Sequence, residues 1–397
     1  MKTQQLSADL TYIGTIDADL RTFDVIMRTE FGTTYNAYVL CGSEKTALIE
    51  TTKARFTDEY MQAISAVTDP AKVDYLLISH TEPDHSGSIE RLLEINPDLT
   101  VVGTMAAIGF LKEIVNRDFK SMAVKTGDTL SLGNKTLTFY ALPNLHWPDT
   151  MFTYIAEEKA LVTCDAFGAH YAHDGVLRSA VTREADYQSA VKYYFDNIIG
   201  PFRQPFMQKA LDTVRDFDLR YILTGHGPVL DEKIPEMFAQ YQQWCIMPKK
   251  AKKSVVIPFV SAYGYTAQLA DAIAKGITEN FDIDVNLHDM VGADPDFVLS
   301  EIDTADGILF GSPTMLGGAL APIWNLTIAM LAPVHSGKRA SAFGSYGWSG
   351  EAVPHLLERL KQLKLKVDDE GLRVRFKPTQ ADLDAAYAFG KTFGGTL

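Results

Sequence analysis

Short apolar runs separated by turn residues dominate the first part of the chain. "TTYNAYVL", "TALIET", "VDYLLIS", "LTVVG", the stretch from Leu130 to Pro143, "TMFTYIA", "ALVTC" and "RYILTG" read as β-strands, and "SIERLLEI" and "MAAIGFLKEIV" as helices between them. This half is mixed α/β and rich in strands up to about residue 230. Near Met247 the pattern changes, and "MPKKAKKS" reads as an exposed linker. A strict alternation follows: strands "VVIPFV", "IDVNLHDM", "ADGILFGSP", "RASAFGSYG" and "GLRVRF" are separated by helical stretches such as "TAQLADAIAKGI", "APIWNLTIAML" and "AVPHLLERLKQL". Five strands in that rhythm predict a doubly wound parallel sheet. Pro258 sits awkwardly there, because proline removes a ladder donor from a central strand. The expected boundaries are a first domain over 1–248, a linker over 249–253 and a second domain over 254–397.

Composition narrows the function classes. With 397 residues the chain exceeds one ordinary core, in keeping with two domains. A net charge of -13 argues against nucleic acid and anionic membranes as partners, because a polyanion is repelled at long range. Cys41, Cys164 and Cys245 form no C-x-x-C pair, so neither a disulfide framework nor a thiolate metal site is encoded. The opening "MKTQQLSADLTYIG" lacks the apolar segment of a signal peptide, and no apolar run reaches membrane-spanning length. A reducing, cytoplasmic setting is the expectation. The lysines at 249, 250, 252 and 253 read as solvation of the linker, with docking of an acidic electron carrier as the alternative.

Chemistry concentrates where the strands of the first half end. "YLLIS" runs into His80, Glu82, Asp84 and His85; "FYALPNL" into His146; "ALVTC" into Asp165; "RYILTG" into His226. Any one of these, taken singly, reads as a strand cap or a loop residue. Strand ends along one edge lie close together, so the set reads as one metal site. Imidazole and carboxylate ligands without thiolates suit zinc, iron or manganese. Three carboxylates are enough for two metals with one oxygen donor bridging them, and a carboxylate-rich set favours iron that must reach the ferric state.

On "HTEPDH", "LHWPDTM", "CDAFG" and "GHGP" the chain resembles the flavodiiron proteins over essentially its whole length. The resemblance implies an N-terminal metallo-β-lactamase-like αβ/βα domain with a di-iron centre, followed by a flavodoxin-like domain that binds FMN. Zinc hydrolases of the first fold typically have histidine at the position of Glu82. By the resemblance His80, Glu82 and His146 would bind one iron, Asp84 and His226 the other, and Asp165 would bridge, with His85 either binding iron or yielding to water. Glu50 stands where such domains usually have Asp, so a supporting contact is expected to be repositioned. His170 and His173 read as surface loop histidines, with the substrate pocket as their alternative place.

In the second half, Ser261, Ala262, Tyr263, Gly264, Tyr265 and Thr266 lie between a strand and a helix. Hydroxyls and backbone N–H groups there form a phosphate site, and Gly264 permits close approach; alone, such a turn is often only a helix cap. Two later loops complete the expected FMN site. One contains Pro313, Thr314, Met315, Leu316 and Gly317; the other contains Ser345, Tyr346, Gly347, Trp348 and Gly350, with Trp348 placed to stack on the flavin ring.

The family resemblance further implies reduction of dioxygen to water, of nitric oxide to nitrous oxide, or both. No Cys-rich rubredoxin module occurs up to Leu397, so the electrons are expected from a separate carrier such as rubredoxin or a reduced deazaflavin coenzyme. A head-to-tail homodimer or dimer of dimers is expected to bring FMN of one subunit to the irons of another. The competing readings are a zinc hydrolase with an accessory flavodoxin module and an electron-transfer flavoprotein with an inactive first domain.

Overall fold

The computed structural model describes residues 3–247, 251–367 and 370–397. The chain divides into two units, Met1–Met247 and Pro248–Leu397.

In the first unit, two sheets face each other. The larger has the strand order Gln4–Gln5, Leu10–Tyr12, Tyr38–Cys41, Thr46–Ile49, Tyr75–Leu77, Thr100–Thr104, Lys120–Val124, and the smaller runs Thr129–Ser131, Thr136–Ala141, Met151–Ile155, Ala160–Cys164, Tyr221–Thr224. Side chains alternate across a strand, and this alternation builds the layers. Leu40, Ala47, Leu77 and Val102 of the larger sheet meet Phe139, Met151, Val162 and Leu223 of the smaller in one buried core. Their neighbours Val39, Leu48, Leu76 and Val101 point the other way, onto the helices Thr57–Ser65, Ile89–Ile95 and Met105–Val115. Phe152, Leu161 and Ile222 do the same on the second sheet, against the helices Glu184–Tyr194, Gln208–Val214 and Ile234–Cys245. The result is a four-layer helix–sheet–sheet–helix sandwich. The helices between Glu184 and Cys245 are less obvious in sequence, because a π-type segment at Phe195–Ile199 and a kink at Gln204, whose backbone is extended, interrupt their periodicity.

The second unit is a parallel sheet in the order Ile283–Asp289, Lys253–Phe259, Gly307–Gly311, Arg339–Tyr346, with Lys366–Val367 and Leu372–Arg375 both pairing with Arg339–Tyr346. This is the 2-1-3-4-5 order of a flavodoxin-like sheet. Val256, Ile308 and Phe310 face one set of helices, and Val255, Ile257 and Leu309 face the helices Tyr265–Thr278 and Gln380–Gly394. Pro258 is accommodated within its strand: the ladder to Gly307–Gly311 is made at Val255, Val256 and Phe259 and passes over Ile257 and Pro258. Lys253 already belongs to the first strand, and Lys252 pairs with Asp282 at 2.5 Å, whereas residues 249 and 250 of the expected linker lie outside the described residues.

Candidate functional site

The seven ligand-type residues of the first unit lie in the segments that follow strand ends. His80 follows Tyr75–Leu77 of the larger sheet, and Asp84 and His85 sit on the one-turn helix Pro83–Ser86, whose Pro83 suits a first helical turn. His146, Asp165 and His226 follow Thr136–Ala141, Ala160–Cys164 and Tyr221–Thr224 of the smaller sheet. Both sheets thus deliver ligand-type side chains to one edge of the sandwich.

The seven side chains meet there in two groups joined by Asp165. On one side, His80 Nε2 lies 3.0 Å from Glu82 Oε2, and His146 Nε2 lies 3.1 Å from the same oxygen. Asp165 Oδ2 completes this group, 2.9 Å from His146 Nε2 and 3.7 Å from His80 Nε2. On the other side, His226 Nε2 lies 3.1 Å from Asp84 Oδ2, and His85 Nε2 lies 3.5 Å from it. Asp165 Oδ1 faces this second group, 3.0 Å from His85 Nε2 and 3.6 Å from His226 Nε2. Metal–ligand bonds of about 2.1 Å place neighbouring donor atoms about 3 Å apart around an octahedral ion. Two such clusters, with the two oxygens of one carboxylate turned to different sides, can hold a metal pair. His85 points into the second group.

The electrostatics match a site built for cations. Burial opposes ionisation of Asp165, Asp84 and Glu82, yet the surrounding imidazoles hold all three carboxyls below the usual range. Burial likewise opposes charge on His146, but hydrogen bonds to Asp165 and Glu82 push it up to about 10; His80 is raised by Asp149 and then Glu82, and His85 chiefly by the charge of Asp84. Both carboxylate oxygens of buried Asp84 lack a hydrogen-bond donor among the described residues. The imidazoles of His85 and His226 stand near it, and a cation between them would supply the partner that its oxygens lack.

Supporting contacts surround the cluster. Buried Asp149 accepts the Thr81 backbone N–H at 2.7 Å through Oδ2, and its Oδ1 lies 3.4 Å from His80 Nδ1. His226 Nδ1–H donates to the Thr34 carbonyl at 2.6 Å, which leaves Nε2 to face the cluster. Glu50 accepts the Ser79 N–H at 2.9 Å, and burial pushes its carboxyl up to about 7 against the pull of His85. Donor atoms of Glu50, His85 and Cys164 lie within 4.8 Å of one another, which puts Glu50 beside the second group.

In the second unit, the three loops singled out from the sequence follow neighbouring parallel strands at their carboxyl ends. Gly264 has φ 78° at the start of the helix Tyr265–Thr278, and a Cβ built there would meet nothing within 4 Å. That backbone is open to a close-lying group, as a phosphate requires. Ser261 Oγ accepts the Ala267 N–H at 3.1 Å. Thr266 and Ser345 are buried with their hydroxyls 3.0 Å apart, and Thr314 N–H donates to the Ser345 carbonyl at 2.9 Å, so all three loops are tied together. Tyr263, Leu316 and Trp348 stand exposed on them, Trp348 at 92%.

Comparison with known proteins decides the family. Residues 33–227 match the ODP family beta lactamase and residues 257–390 match Flavodoxin. The chain is 39% identical to "Flavo-diiron protein FprA2" of Clostridium acetobutylicum over the full length of both, and 39% identical to "Type A flavoprotein fprA" of Rhodobacter capsulatus over 97% of this chain and 89% of that one. It belongs to the flavodiiron proteins. Among solved structures, rubredoxin oxygen:oxidoreductase from Desulfovibrio gigas superposes with a TM-score of 0.67 at 29% identity, covering 100% of this chain and 98% of that one. The flavodiiron protein from Giardia intestinalis gives 0.66 at 28%, covering 100% and 96%.

Several residues of this flavodiiron oxidoreductase near the cluster escaped sequence reasoning. Asp24, exposed on the hairpin Thr22–Phe23/Met27–Arg28, lies close to Glu82; partial burial and then the Glu82 carboxyl push its own carboxyl up to about 7. Phe23 stands edge-on to His226 with ring centroids 5.4 Å apart, and Lys53 lies over Phe23. Tyr194 is fully buried, its ring 6.1 Å from that of His226. No motif marks these positions. Asp149 carried a signal, since it lies within "LHWPDTM". His170 corrects the surface expectation: it is buried, 4% exposed, with its ring 5.1 Å from that of His226. His173 is half-buried and accepts the Gly175 N–H at 3.1 Å within its loop.

Proposed function

We propose that the chain reduces dioxygen to water, nitric oxide to nitrous oxide, or both, at a non-haem di-iron centre fed by FMN. The observation that carries this reading is Asp165, whose two oxygens face two separate histidine–carboxylate groups. His80, Glu82 and His146 would hold one iron, Asp84, His85 and His226 the other, and Asp165 both. Glu82 supports iron over zinc, because a third carboxylate offsets more of the positive charge of a pair that must reach the ferric state. When bound, the iron pair and FMN together store four electrons, which matches dioxygen going to two waters, while two nitric oxide molecules need two electrons to give nitrous oxide and one water. The chain's own part is to orient the ligands through Asp149, the Thr34 carbonyl and Glu50.

Ser261 to Thr266, Pro313 to Gly317 and Ser345 to Gly350 would hold FMN, with the phosphate at the helix start beside Gly264 and the ring against Trp348. The electron donor is proposed to be a separate carrier of the rubredoxin type, a choice supported by the name of the Desulfovibrio gigas relative. A head-to-tail homodimer would bring flavin and irons of different subunits together. Among the described residues, no helix is long and apolar enough to cross a membrane. Protein loaded with iron and FMN, given reduced rubredoxin under anaerobic conditions, should consume at least one of the two gases when each is added. Turnover of esters or lactams by zinc-loaded, flavin-free protein, with no gas consumed by the iron form, would instead support a zinc hydrolase.

A further inference from the structure

The metal cluster has one open rim. Glu82 and His146 retain 16% and 17% side-chain exposure, whereas the side chains of His80, Asp84, His85, Asp165 and His226 are at most 3% exposed. Electrons must arrive where solvent or a donor can approach, and that is this rim.

A second approach exists on the His226 side. A cavity of 180 Å³ lies between the segment after Met27–Arg28 and the helix Glu184–Tyr194. Arg28, Glu30 and Tyr193 stand exposed at its mouth, Phe31 and Ala190 line it, and His170 forms part of its wall. His170 Nδ1 lies 2.9 Å from the Thr33 hydroxyl, while its buried Nε2 has no hydrogen-bond partner among the described residues. Its ring touches that of His226, so one side chain separates the cavity from a ligand of the second metal group. In volume it exceeds a void of about 150 Å³ that takes up benzene or xenon, so a diatomic molecule has room here, and Phe31 and Ala190 give it an apolar part beside the polar Arg28, Glu30 and Ser189.

We propose that this cavity is the route by which the diatomic substrate reaches the cluster, with His170 as its inner gate. The inference rests on the gas-reducing function proposed above. It separates the two traffics: electrons enter at the Glu82 and His146 rim, and the gas enters past Phe31, Ala190 and His170.

The test uses the full chain loaded with iron and FMN. Crystals pressurised with xenon should show a xenon peak between Phe31, Ala190 and His170. Ser189→Trp at the exposed mouth and Ala190→Phe inside should each lower kcat/KM for the gas by about tenfold, while kcat at saturating gas and the iron content stay as in the wild type. Ser189 is exposed, so its variant is expected to fold even if Ala190→Phe does not. A cavity free of xenon, or wild-type kcat/KM in the folded variants, would overturn the proposal. Failure of the functional reading looks different: the wild-type protein itself would consume neither gas, and the proposed route would fall with it.

Discussion

Asp149→Asn tests whether the supporting contacts tune the metal site. Asp149 is fully buried, and its two oxygens have separate tasks: Oδ2 accepts the Thr81 N–H at 2.7 Å and Oδ1 faces His80 Nδ1 at 3.4 Å. His80 Nε2 points at the cluster, so its proton sits on Nδ1 when a metal is bound, and a carboxylate there holds the ring in place. Asparagine has one acceptor oxygen. If that oxygen keeps the short bond from Thr81, the amide NH₂ is left facing Nδ1–H, donor against donor. The 3.4 Å contact, worth about 1.5–3 kcal/mol when drawn in to a charge-assisted hydrogen bond, is then lost. Converted at 1.4 kcal/mol per decade, this weakens metal binding about 10- to 150-fold, in line with the roughly 10- to 100-fold effect of supporting residues elsewhere. The loss should fall on the group of His80, Glu82 and His146, so chelator competition should strip one metal well before the other. A folded Asp149→Asn protein that holds both metals with wild-type affinity would refute the reasoning.

Three further outcomes follow from the same geometry. Metal uptake should release protons, because hydrogen bonds to Asp165 and Glu82 raise His146 to about 10 despite burial, so the metal-free protein carries that proton at neutral pH, whereas the bound ligand must be neutral; affinity should therefore rise by about tenfold per pH unit or more between pH 6 and 8, and a pH-independent affinity would contradict it. Trp348→Ala should weaken FMN binding by roughly three- to tenfold, the worth of one stacking contact, and leave iron content unchanged, as read by flavin fluorescence titration. Lys135→Met should destabilise the protein to urea by about 3 kcal/mol, because Lys135 Nζ lies 2.5 Å from the buried Glu158 carboxylate and 2.9 Å from Asp9, and its removal leaves Glu158 uncompensated.

The sequence revealed the cluster more fully than its surroundings, for a physical reason. His80, Glu82, Asp84, His146, Asp165 and His226 each follow an apolar strand, and strand ends on one edge converge whatever the loop lengths between them. The parallel order of the second unit was equally legible, since five strands alternating with helices leave few arrangements. His170 was misread because a histidine six positions past a strand, in a loop with no periodicity, gives no sign of its direction. Only the fold shows that Ala169 donates its N–H to the His226 carbonyl at 3.2 Å, turning the loop inward. Asp24 and Phe23 come from a hairpin with no motif, and their nearness to Glu82 and His226 is tertiary. Asp149 lay inside a quoted motif, but its task depends on the His80 ring across the two sheets. The substitution of Glu50 for the usual aspartate was visible, whereas its bond from Ser79 needed the fold.

The central claim is that a carboxylate-bridged metal pair and a flavin in one chain reduce a small gas. It is tested most directly by loading the protein with iron and FMN, supplying reduced rubredoxin anaerobically, and measuring dioxygen and nitric oxide consumption side by side with the same donor. The account predicts sustained consumption of at least one gas, lost in Asp165→Ala. Consumption of neither gas by fully loaded protein, or undiminished consumption by Asp165→Ala, would contradict it.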